Sequence, residues 1–157
     1  MNCQKGDVCK RSRERSGLKS NEAAQEFNIS TRTLDRYEAG EYDIPEDVLI
    51  QMSKTYHDPF LPWNYLVLTN PIAQYYGLKP FEEASFSTVA LRIINGLNII
   101  SREREEFAEI TADEKVDSEE DPRFTEIIST VESVSQGMAF LKLINAAKEK
   151  TTFAKAV

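Results

Sequence analysis

Between Gly17 and Pro45 the chain is punctuated so often that no long helix can run through it: Gly17, Asn28, Gly40 and Pro45 each stop or start an element. Gly and Asn accept the left-handed backbone of a helix C-terminus, and Pro suits a helix start because it lacks an N–H that would go unpaired there. Residues 7–57 therefore predict a string of short helices. The first runs from about Asp7 to Ser16. The second, signalled by Ser20 with Glu22 in its first turn, reaches about Phe27. Ser30 caps a third over Thr31 to about Glu38, and Pro45 opens a fourth, with Val48, Leu49, Met52 and Tyr56 at helical spacing.

Beyond Pro59 the texture changes. Prolines, Pro59, Pro62 and Pro71 among them, accompany eight of the 15 aromatic residues, all between Tyr56 and Phe86. Such a cluster lines a ligand pocket or, as is more common, packs a joint between two segments. YLVLT (65–69) is the one stretch that could pass for a strand, and a lone strand has nothing to pair with. The last part predicts a helical hairpin. One arm spans about Ser87 to Ala112, with Phe86, Ala90, Ile93, Leu97, Ile100, Phe107 and Thr111 close to a 3.5 spacing and Val89, Ile94 and Ile110 widening the stripe. The other spans Pro122 to about Lys148, with Phe124, Ile127, Ile128, Val131, Val134, Met138, Leu141 and Ile144. REREE (102–106) lies opposite the first stripe as a solvated face. The expected fold is all-α, and the expected domains are 1–58 and 59–157, the latter comprising an aromatic joint (59–86) and a long hairpin (87–150).

With 157 residues, 41% hydrophobic and 29% charged, the chain has the composition of a folded protein and excludes collagen-like and disordered classes. Catalytic chemistry finds little to stand on. Cys3 and Cys9 lack zinc or redox spacing and read as free thiols, and the single histidine, His57, sits where it would cap a helix end. The acidic run DEKVDSEED (113–121) fails as a calcium loop, because Lys115, Ser118 and Phe124 fall at positions 3, 6 and 12. No nucleophile, base and orienting residue come together, and no phosphate-binding Gly loop is present. The expectation is a non-enzyme without cofactor or metal. No apolar run reaches the roughly 20 residues of a membrane span, and MNCQKGDVCK is polar where a signal peptide is apolar, which predicts a cytoplasmic protein away from membranes.

The net charge of −7 is unevenly spread. Residues 1–36 carry eight Lys/Arg against five acids, net +3, while the remaining 121 carry 11 against 21, net −10. A nucleic acid feels the local field within about 8–10 Å at physiological salt more than the total, so a basic N-terminal face is compatible with DNA.

Leu18 to Pro45 has the layout of a helix-turn-helix. Ala23 and Ala24 allow a close helix crossing, Asn28 takes positive φ, Ile29 plugs the core beneath the turn, and Ser30 caps the next helix. That helix has an apolar side, Leu34 and Tyr37, and a polar side, Thr31, Arg32, Asp35 and Arg36. The pattern resembles the phage repressor and Cro type of helix-turn-helix, the XRE family, through Leu18, Glu22, Ala24, Ile29, Ser30, Thr33, Leu34, Arg36, Tyr37, Glu38 and Gly40. It departs from that family at Ser20, Asn28, Asp35 and an acidic loop of Glu41, Asp43, Glu46 and Asp47, and acids near a DNA backbone oppose phosphate. Met52, Tyr56, Asp58, Pro59 and the Asn70-Pro71-Ile72 step look similar to helical C-terminal extensions of such regulators.

The resemblance implies a five-helix lambda-repressor-like domain and a transcriptional regulator, a repressor, bound to double-stranded DNA. Thr31, Arg32 and Arg36 would face the major groove, Lys19 and Ser20 would hold phosphate, and Arg13 and Glu38 would form an interhelical ion pair. One domain covers one half-site, so a homodimer held through residues 59–157 is expected; the sequence names no small-molecule effector. The alternative is an adaptor module on the same fold with weak or lost DNA binding.

Overall fold

The computed structural model describes residues 3–82 and 84–155, with side chains for 5–82 and 84–147. All regular structure among these residues is helical: α1 (Cys3–Ser16), α2 (Ser20–Glu26), α3 (Thr31–Glu38), α4 (Glu46–Thr55), α5 (Leu61–Thr69), α6 (Pro71–Tyr75), α7 (Phe86–Ile110) and α8 (Asp121–Lys155). The chain divides into two compact units, at Phe81 and Glu82.

In the N-terminal unit α1 packs on α3 and α5, α2 on α3, and α4 on α5. Their shared core contains Cys9, Leu34, Met52 and Leu61, all at 1% exposure or less, with Phe27, Ile44, Leu49, Tyr56 and Tyr65 around them. Burying each large apolar side chain stabilises the unit by about 1.5–3 kcal/mol. The domain boundary expected after residue 58 is corrected here. Leu61 and Tyr65 of α5 belong to this core, the Tyr65 hydroxyl accepts the Ile44 amide at 2.8 Å, and the carboxylate of Asp58 accepts Ser12 Oγ at 2.9 Å and Arg15 at 2.8 Å. Pro59 lies in the turn between α4 and α5, and tertiary bonds are made on both sides of it. YLVLT lies inside α5, not in a strand, with Tyr65 and Val67 buried.

Four helices of this unit, α2, α3, α4 and α6, end alike. The chain takes positive φ at Asn28, Gly40, His57 and Gly77, and the next amide returns to a carbonyl five residues back: Ile29 to Ala24, Glu41 to Arg36, Asp58 to Ser53 and Leu78 to Ala73, all within 2.9–3.0 Å. This is the Schellman arrangement. His57 thus ends α4 through its backbone, which replaces the expected side-chain cap. Gly6, on α1, is buried, and a Cβ there would run into the Glu38 carbonyl and the Gly40 amide. Only glycine lets α1 lie this close to the end of α3. Cys9 is a free, fully buried thiol, pushed up to about 12 by burial first and then by the charges of Glu38 and Asp58. The Cys3 side chain lies outside the described residues.

The C-terminal unit is an antiparallel pair, α7 on α8. The helices approach through glycine: Gly96 faces Val134 and Thr130, and Gly137 faces Ile93 and Val89. Phe107 stacks on Phe124 with centroids 6.2 Å apart. Arg123 meets Glu106 at 2.9 Å, Glu103 at 3.0 Å and Glu126 at 2.6 Å, so REREE contributes two clasps to α8 besides its solvated residues. The turn before α8 is exposed and starts that helix through the Asp117 carboxylate, which accepts the Glu119 and Glu120 amides. Within Asp121–Ala147, α8 is long and apolar enough to cross a membrane by length and composition, which corrects the expectation that no such run exists. Its inner stripe packs on α7, and 22% of the most apolar stretch is buried.

Candidate nucleic-acid interface

The interface is built from α2, the turn after it, and α3. Residue 19 rather than Ser20 precedes α2: the Lys19 amide donates to the Glu22 carboxylate at 2.9 Å, leaving the Lys19 side chain exposed. Ser20 is the first residue of α2, and its hydroxyl donates to Asp35 Oδ1 at 2.8 Å. A group expected to hold phosphate is therefore already bonded to a carboxylate. Ala23 and Ala24 are buried where α2 meets α3, as a close crossing requires.

Ser30 starts α3 as expected, its hydroxyl accepting the Thr33 amide at 3.0 Å. A helix has 3.6 residues per turn, so positions 32, 35 and 36 share one side, 34 and 37 lie opposite, and 31 falls at the border, one turn before 34. Leu34 and Glu38 are buried, while Thr31, Arg32 and Asp35 are exposed and Arg36 is partly so. Arg32 makes no hydrogen bond or ion pair among the described residues. Arg36 differs: its Nη1 donates to the Tyr42 hydroxyl at 2.8 Å, its guanidinium carbon lies 5.2 Å from the Tyr42 ring centroid, and its Nε lies 3.6 Å from Glu41.

Behind this face, Arg13 and Glu38 meet as a forked pair, Nε to Oε1 at 2.6 Å and Nη2 to Oε2 at 2.7 Å, with side chains 10% and 6% exposed. Arg13 Nη1 also donates to the Leu18 carbonyl at 3.0 Å, so one guanidinium ties α1 to α3 and to the loop before α2. The hydrogen bond to Glu38 outweighs burial and raises the Arg13 pKa. Tyr56 lies beside the pair. Burial, then the Glu38 charge, raises its pKa, and its hydroxyl finds no partner among the described residues. Lys5 reaches Asp43 at 2.6 Å, which holds α1 to the loop that follows α3.

Sequence reasoning placed Thr31, Arg32 and Arg36 on one face and brought Arg13 to Glu38, but it missed the neighbours of Arg36. The signal for them was available in Gly40, since a left-handed residue there returns residue 41 to the side of residue 36. The signal for Asp58 as a hub was its place before Pro59, where an Asp accepts the amide two residues on, as it does from Phe60 at 3.1 Å.

Among known proteins, the helix-turn-helix family model matches residues 10–57, which supports a DNA-binding domain of the XRE kind. No curated protein and no solved structure matches the chain at a significant level.

Proposed function

We propose that this protein is a sequence-specific transcriptional regulator that works in the cytoplasm, has no catalytic activity, and represses by occupying the major groove of double-stranded DNA with α3. The supporting observation is the division of that helix: Leu34 and Glu38 are locked inside, and Thr31, Arg32 and Arg36 lie on the outer side, within the segment that matches the helix-turn-helix model. Arg suits a bidentate bond to guanine O6 and N7, and Thr suits a thymine methyl. Lys19 offers an exposed cation to the phosphate backbone.

The proposal includes a homodimer held through residues 59–157. Half-sites of a palindrome lie about 34 Å apart, so paired domains bind where one is insufficient. Supporting this, α7 and α8 bury one stripe against each other while Phe86, Leu91, Ile94 and Leu97 of α7 and Val131 and Met138 of α8 stay exposed. Exposed apolar patches of this kind mark interaction surfaces.

Mobility shifts of the pure protein on operator-like and random duplexes test the reading. Arg32→Ala and Arg36→Ala should each weaken specific binding by about 1–3 kcal/mol and relax preference at one base position. Unchanged binding by both overturns it. Light scattering should give twice 17.9 kDa, and a mass near 17.9 kDa removes the dimer. The adaptor reading draws on the carboxylates already at Ser20 and Arg36. It gains if no duplex is bound even at low salt.

A further inference from the structure

The loop that follows α3 is more than a connection. Gly40, at φ 72°, ends α3 so that the Glu41 amide bonds back to the Arg36 carbonyl at 3.0 Å. This backbone return sets residues 41 and 42 alongside Arg36 whatever their side chains are. Here those side chains are an acid and a phenol, and both engage its guanidinium: Glu41 at 3.6 Å from Nε, and the Tyr42 hydroxyl at 2.8 Å from Nη1.

An Arg has five N–H donors, one on Nε and two on each Nη. Tyr42 uses one, and the Glu41 charge lies toward Nε. One N–H of Nη1 and both of Nη2 remain, and these form the end-on fork that fits a guanine O6/N7 edge. The two kinds of acceptor on DNA meet different conditions at this fork. A phosphate brings negative charge beside the Glu41 carboxylate and is repelled, whereas a base edge is neutral and is not.

Resting on the DNA-binding reading above, we propose that Glu41 and Tyr42 are specificity-determining residues that position Arg36, withholding its guanidinium from phosphate while leaving its outer fork for a base edge. Glu41 lowers affinity for DNA in general in order to widen the gap between the right and the wrong sequence. Tyr42 aims the fork.

The test measures affinity across a range of KCl concentrations for two probes, a random-sequence duplex and the duplex that the unaltered protein enriches from a random pool. Glu41→Gln should tighten binding to the random duplex about threefold, the effect of removing one unit charge about 7 Å from a phosphate in water-like dielectric. Its salt slope on that probe should steepen by about 0.9, as one more phosphate is neutralised. The enriched duplex should gain less, so the ratio between the probes falls. In an Arg36→Ala background the same Glu41→Gln change should lose this effect. Tyr42→Phe should relax preference at the single position that Arg36 reads, with an unchanged thermal melt.

Glu41→Gln tightening both probes equally, with or without Arg36, would show general charge repulsion and overturn the proposal. So would equal binding by the unaltered protein and Glu41→Gln. Failure of every variant to bind either probe at low salt overturns the DNA-binding reading itself, and this proposal with it.

Discussion

Among the described residues of the N-terminal unit no helix exceeds 14 residues, and α2 and α3 have seven and eight, lengths at which an isolated helix does not hold in water. In the C-terminal unit α7 has 25 residues and α8 has 35. The short helices depend on each other: Cys9 of α1, Leu34 of α3, Met52 of α4 and Leu61 of α5 meet in one core, and Arg13 with Glu38 adds a buried tie. The long helices meet along a single seam, with Gly96 and Gly137 setting their approach, and much of their apolar surface stays outside it. Length and self-sufficiency are therefore opposed here. A tightly tied core comes from many short pieces that hold one another, and a long two-helix seam leaves apolar surface outside it.

The sharpest way to break this contrast is to cut the chain. A fragment ending at residue 58 loses Leu61 and Tyr65 from the core and should lose about 3–6 kcal/mol, from two large side chains at about 1.5–3 each, while one ending at residue 81 keeps them. Urea unfolding of the two fragments checks this, and equal stability would return α5 to the C-terminal side.

Next in size is the buried tie. Glu38→Ala leaves the Arg13 charge unpaired inside and should cost about 3–5 kcal/mol in the full chain. A loss below 1 kcal/mol, the scale of an exposed pair, would mean that Arg13 reaches solvent.

The two units should answer a methyl group differently. Gly6→Ala drives a Cβ into the backbone of Glu38 and Gly40, which cannot yield, and should cost about 1–3 kcal/mol even after alanine's gain in helix propensity. Gly137→Ala meets the side chains of Ile93 and, less closely, Val89 rather than backbone, so its cost should be smaller. Thermal melts of the two variants rank them, and a larger loss at Gly137 would reverse the assignment of which unit is rigid.

Alkaline pH gives an effect that grows with each pH unit. The Cys9 thiol is raised from 9.0 to about 12 in the folded chain, so between those values the folded state holds a proton that the unfolded state has released. Stability is then complete below pH 9 and falls as pH rises, by up to about 1.4 kcal/mol per unit. Cys9→Ala should flatten the dependence of Tm on pH between 9 and 11, and an unaltered slope would assign it elsewhere. Smallest is Tyr56→Phe, which deletes a buried hydroxyl with no partner among the described residues and should change stability by less than about 0.5 kcal/mol.

The parts of this fold legible in the sequence are those that a single residue decides. Asn28 and Gly40 announce left-handed turns, Ser30 announces a helix start, and the period sets Arg32 and Arg36 on the side opposite Leu34. What sequence could not yield depends on competition or on distance. Ser20 looked like the cap of α2, yet Glu22 reaches back to the Lys19 amide and the helix starts there. YLVLT has the β-branched and aromatic character of a strand, and only packing of Tyr65 against residues far away in sequence makes it a helix. The boundary at Pro59 failed likewise, because a proline reports the local backbone and says nothing about Asp58 bonding to Ser12 and Arg15. At the interface, residue types were legible and their prior commitments were not: Asp35 on Ser20, and Glu41 with Tyr42 on Arg36.

The turn between α7 and α8 gives the molecule a practical asset. Residues 111–119 are exposed, and the chain on either side is fastened by Arg123 to Glu103 and Glu106 rather than by the turn itself. Loop length adds little entropy cost once the ends are held, and exposed tips tolerate insertion. A fluorescent reporter, an epitope or a protease site placed there would leave the seam between α7 and α8 intact, so the protein could be tracked, captured or opened without disturbing either helix.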